Sequence, residues 1–143
     1  MKKKLFLLAG VFLLLMTALF SLSARRATPE AFFSQHQEEL QAAAEQILAA
    51  GSAEGATVDG VEQIDFWPGP VPIIEFTISG SGLAPSSHYK GIYYSPGDTP
   101  APFQNTQLPL QESETGWNWT DGTDNHGSTT RVAPCWFTFE AHF

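Results

Sequence analysis

Glu140 and His142 stand two apart in a C-terminal run, 135–143, that alternates apolar and polar residues. On a strand such alternation sends successive side chains to opposite sides of the sheet, so Trp136, Thr138, Glu140 and His142 share one face while Cys135, Phe137, Phe139, Ala141 and Phe143 share the other. The phenylalanine row is expected to be core and the even row to be the outer face. A carboxylate beside an imidazole can fix a ring tautomer, hold a metal ion or move protons in acid–base catalysis. Two side chains do not make a site. A third group has to come from a neighbouring strand, for which Glu75, His88 and Tyr94 are the candidates. The plainer expectation for the same pair is a polar cross-strand contact on a solvated face.

A second candidate is the loop Asp121-x-Thr123-x-Asn125, whose alternating oxygen groups have the spacing of a calcium loop. It departs from that pattern where the pattern is strictest: His126 stands at the place of the turn glycine, and Val132 where a bidentate glutamate is needed. Residues of this kind also build ordinary tight loops between strands. Cys135 is the single cysteine, which excludes an internal disulfide and a cysteine-rich zinc site. Its phase with Phe137 and Phe139 makes it a buried apolar thiol rather than an exposed nucleophile. Asn118-Trp119-Thr120 matches a glycosylation sequon, of consequence only in a eukaryotic secretory host.

The tryptophans offer a binding surface instead of a reaction. Trp117 and Trp119 share a strand face and Trp136 lies off the phenylalanine row, so the three are candidates for stacking on a peptide or glycan. The competing expectation is that they fill the core, or a second core beneath the loop 99–107.

Charge narrows the partners. All 15 acidic residues follow Arg26, whereas of the seven basic residues only Lys90 and Arg131 do. A body so acidic repels nucleic acid and anionic lipid, and admits cationic peptides or divalent ions. No cofactor is expected. Ahead of it, Lys2, Lys3 and Lys4 precede an uncharged apolar run over 5–24. That run reads as a membrane anchor, since about 20 apolar residues cross a bilayer, or as a cleavable signal cut after Ser23 or Ala24. Either way the leading lysines favour an N-terminus inside and the rest outside, secreted or held by a single span. The organisation expected is therefore a leader, 1–26, and one extracytoplasmic domain, 27–143.

Thr28-Pro29-Glu30 supplies an N-cap hydroxyl, a proline at the first helical position and a carboxylate near the positive helix end, and Gly51 stops the helix after about residue 50. Phe33, Leu40, Ala44, Ile47 and Leu48 form its apolar stripe, made for a sheet. Strands are expected at 61–67, 73–79 and 88–94, a weak edge strand at 108–112, and another around Trp117 and Trp119. The last strand is expected to begin near Ser128, with a one-residue bulge at Ala133-Pro134 to reconcile its two phases. The fold class is thus α+β, one long amphipathic helix on a mainly antiparallel sheet of about four to six strands. The order resembles the cystatin-like and nuclear-transport-factor-like layouts, although the Q-x-V-x-G inhibitory loop of the cystatins is missing. Layout alone transfers no function. The leading expectation is a non-enzymatic exported or membrane-anchored module that binds an envelope protein, peptide or glycan through aromatics on the sheet face opposite the helix. The alternatives are a small hydrolase or metal-binding protein centred on Glu140 and His142, and an accessory subunit of a membrane complex.

Overall fold

The computed structural model describes residues 27–83 and 86–143. The leader, 1–26, lies outside the described residues, among which no helix is long and apolar enough to cross a membrane.

Helix α1 spans Pro29–Ala50 with the ends expected from its caps. Thr28 Oγ1 accepts a hydrogen bond from the Ala31 N–H at 3.3 Å, and Gly51, at φ 66°, donates its N–H to the Ile47 carbonyl at 2.8 Å. Its buried residues are Phe32, Phe33, Leu40, Ala44 and Ile47. Phe32 joins the stripe, and its ring stacks at 4.2 Å on that of His36, where the helix is kinked.

Seven strands follow: β1 (Gln63–Trp67), β2 (Ile73–Leu83), β3 (Ser86–Tyr94), β4 (Gln111–Ser113), β5 (Gly116–Thr120), β6 (His126–Ala133) and β7 (Trp136–His142). They form one antiparallel sheet in the order β1-β2-β3-β7-β6-β5-β4. The strand count exceeds the four to six expected because the last predicted strand is two. The phase change at Ala133-Pro134 is a chain reversal, not a bulge: Ala133 pairs with Trp136 across a two-residue turn in which Cys135 takes φ 66°. Proline and a left-handed residue end β6 there, and a separate irregularity between Arg131 and Ala133 takes up the register. Cys135 is consequently half-buried in that turn, not in the phenylalanine row.

Both faces of the sheet carry a core. On one, α1 packs over Ile74, Phe76, Ile78, Ile92 and Trp136. On the other, Ile73, Tyr93, Trp119, Phe137, Phe139 and Ala141 lie beneath the segment 95–110, which inserts Phe103 among them. This strap is not the plain surface loop its prolines suggest. The Ala101 N–H donates to Tyr93 Oη at 2.9 Å, the Gln104 N–H to Glu75 Oε1 at 2.6 Å, and Arg131 grips Asp98. Asp98 also accepts from the Cys135 N–H at 2.8 Å, which ties the strap to the β6–β7 turn. The even row of β7 therefore faces the helix, not solvent, a correction to the expected outer face. Alternation distinguishes the two sides of a strand but cannot say which one a helix covers when both are occupied.

Candidate metal centre

Strand register assembles the site. In the β3–β7 ladder His88 lies opposite His142 and Lys90 opposite Glu140; in the β6–β7 ladder His126 lies opposite His142 and Ser128 opposite Glu140. All share the helix-side face, but α1 protects only part of it. Trp136 is sealed under the helix, 2% exposed, with its indole N–H donated to Gln41 Oε1 at 3.0 Å. Farther along β7, Glu140 lines a cleft of about 530 Å³ between the start of α1 and the sheet, together with His88, Lys90, Ser128, Thr130 and Thr138.

His88, Glu140 and His142 each direct one ligand-type atom into the same space, all within 4.8 Å of one another. The His88 and His142 rings stack at 4.0 Å between centroids, and His126 stacks on the far side of His142 at 4.8 Å. His126 sets its own tautomer or charge by bonding Nδ1 to the Asp124 carbonyl at 2.8 Å, in which the ring nitrogen donates. Nε2 of His88 is buried and has no hydrogen-bond partner among the described residues. Burial, then the neighbouring His142 and Lys90, hold its pKa below the usual imidazole value, against the pull of Glu140. Neutral imidazole, the form that binds metals, is thereby favoured. Glu140 is ion-paired with Lys90.

Two imidazoles and a carboxylate form a donor set for zinc and its neighbours, with nitrogen ligands that calcium and magnesium do not favour. Bonds of about 2.1 Å place tetrahedral ligand atoms about 3.4 Å apart. The three donors are half-buried and spread up to 4.8 Å, so binding requires the stacked His88 and His142 rings to turn inward.

Of the three groups considered as partners for Glu140 and His142, His88 is the one brought in. Glu75 is on the opposite face, 1% exposed beneath the strap, and Tyr94 sits at the other end of β3 opposite Trp136. Lys90 and His126 went unrecognised. For Lys90 a signal existed: His88-x-Lys90 and Glu140-x-His142 are both spaced by two, so antiparallel pairing superimposes them.

The other candidates are dispersed. Trp119 is 5% exposed on the strap side, Trp117 half-buried on that side with its ring edge-on to Phe137 at 6.2 Å, and Trp136 in the core beneath α1. The three do not share a surface. Gly127 makes room for Trp119, since a Cβ there would come within 2.5 Å of the indole. In the loop, Asp121 Oδ1 accepts from the Thr123 N–H at 2.9 Å and from its hydroxyl at 2.6 Å, and Oδ2 from the Asn125 amide at 2.7 Å. These bonds, Thr123's first, keep the Asp121 carboxyl below its ordinary pKa. Asn125 thus turns its NH2 group, not its oxygen, toward the carboxylate.

No family model, curated protein or solved structure matches this chain.

Proposed function

We propose that the domain binds a divalent transition metal, zinc or copper, through His88, Glu140 and His142. The observation that carries the reading is the convergence of two imidazoles and a carboxylate from adjacent strands to within 4.8 Å. Support comes also from the depressed basicity of His88, from the solvent-open cleft that His88 and Glu140 line, and from an acidic body that concentrates cations. Three protein ligands beside an open position are the arrangement of catalytic rather than closed structural zinc sites, so hydrolysis is the chemistry to test once binding is established. An aromatic platform for a peptide, protein or glycan has weaker support, with Trp119 and Trp136 buried in separate cores. The layer order supports a cystatin-like or nuclear-transport-factor-like layout. The lysines at 2–4 and the uncharged run at 5–24 support an extracytoplasmic setting, where the chain would be an anchored or secreted domain or a subunit of a membrane complex.

Titration calorimetry with zinc, and cobalt as a coloured substitute, tests the metal. One ion per chain is expected, with His142→Ala and Glu140→Gln each weakening it by at least about tenfold. Equal affinity in the wild type and both variants, with all three folded, removes the assignment.

A further inference from the structure

Lys90 occupies a position in this site that a metal would make untenable. Its ammonium pairs with Glu140, the carboxylate of the ligand set, and both line the cleft beside α1. Among the cleft-lining residues Lys90 is the lone permanent cation. A divalent ion on Glu140 competes with Lys90 for the carboxylate and sets a like charge near the ammonium. The lysine has a flexible four-carbon stem and is partly exposed, so its response is to swing away from Glu140 into the cleft. There it stands beside His88 and Glu140, the two members of the donor set that also line the cleft.

We propose, on the strength of the metal reading above, that the cleft is a metal-gated site for a small oxyanion. One oxygen of the anion takes the open position on the ion and another pairs with Lys90, which relieves both unpaired positive charges at once. Without metal the same ammonium is neutralised by Glu140 and the cleft offers no net positive charge. The remainder of the ligand faces the hydroxyls of Ser79, Ser81, Ser128, Thr130 and Thr138, which suits a hydrogen-bonding body, while the Glu30 carboxylate in the same lining keeps the cleft closed to anions until the metal's charge is added. Carboxylate and phosphate share the required chemistry. The metal and the anion each tighten the other's binding by one and the same factor, as linkage requires.

The test uses the purified full-length chain, cobalt(II) as the metal and acetate as the anion, followed by the cobalt visible absorption bands. In the wild type, acetate should shift those bands and raise cobalt affinity severalfold, and apoprotein should show no acetate binding by calorimetry. Lys90→Met should bind cobalt more tightly than the wild type, having lost the competing ammonium, yet lose the acetate effect by about tenfold or more. Lys90→Arg, which keeps the charge, should retain it, and circular dichroism melting confirms that both variants fold. An equal acetate response in the wild type and Lys90→Met overturns the anion site, as does acetate binding to the apoprotein with equal strength. Cobalt binding without any acetate response overturns this inference alone; failure of the wild type to bind cobalt or zinc overturns the metal reading and takes this one with it. Replacing acetate by methylphosphonate separates the two anion types, the larger coupling naming the class.

Discussion

The two faces of this sheet are built from the same strands, yet one is covered by apolar packing and the other half open. On the strap side rings pack on rings, from Tyr93 stacked on Phe137 at 5.1 Å to Phe103 against Phe139 at 5.3 Å, with Trp117, Tyr89 and Phe143 half-buried at the margin. The buried carboxylate there, Glu75, is held individually by the Trp67 indole N–H at 2.8 Å and the Gln104 amide at 2.6 Å. On the helix side the apolar half is sealed by α1, and past its first turn the same face carries Lys90, His88, Glu140 and His142, all partly hydrated. A polar group under full cover must keep fixed partners, because losing one strands it away from water. A half-covered one can exchange partners cheaply. Stability therefore resides with the strap face and adaptable chemistry with the open part of the helix face.

The comparison is broken most severely by deleting 141–143. Ala141 is fully buried, Phe143 packs on Tyr89, Phe103 and Trp119, and its backbone exchanges two hydrogen bonds of 2.8 Å with Ser87. The shortened chain should lose its cooperative melting transition in circular dichroism. Next in size, Phe139→Ala should cost about 3–5 kcal/mol in urea unfolding, as expected for a buried ring. An effect of the same order comes from Glu75, whose carboxyl burial pushes up to about 8 from an ordinary 4.5 despite its two N–H donors. Between those values the folded state holds a proton that the unfolded chain releases, so stability should fall as pH rises from about 4.5 to about 8 and level off above it. Unfolding midpoints across that range check the slope, which Glu75→Gln should largely abolish. Smallest of all, His142→Ala should change stability by no more than about 1 kcal/mol while weakening the proposed metal binding by at least about tenfold. A large loss of stability from His142→Ala would show that the open face is as structural as the sealed one.

Much of this was legible in the sequence where local chemistry decides the outcome. The α1 boundaries follow from Thr28, Pro29 and Gly51, each acting on its immediate neighbours. The pairing of Glu140 with His142 on one face follows from strand periodicity, and His88 lay among the groups named to complete it. What local chemistry does not decide is which side of a strand a distant element covers. The tryptophans admit two readings, a platform or a second core beneath 99–107, and nothing near 103 chooses between them; the packing of Phe103 on Phe139 decides for the core. The turn at Pro134 and Cys135 was misread for a related reason: a phase slip looks alike whether the chain bulges or reverses, and only pairing partners far along the chain tell them apart.

The order of the strands also has a kinetic consequence. β1, β2 and β3 form one meander of neighbouring hairpins and β4 to β7 form another, and the strand pairing that joins the two is the β3–β7 ladder. Pairings within each meander close short loops, whereas the joint closes a long one and is entropically the slowest to nucleate. His88 comes from the first meander and Glu140 and His142 from the second, so the site straddles this seam and exists only once the halves have docked. An ion held there would act as a late clasp, absent while the chain collapses and present as a brake on the halves parting again.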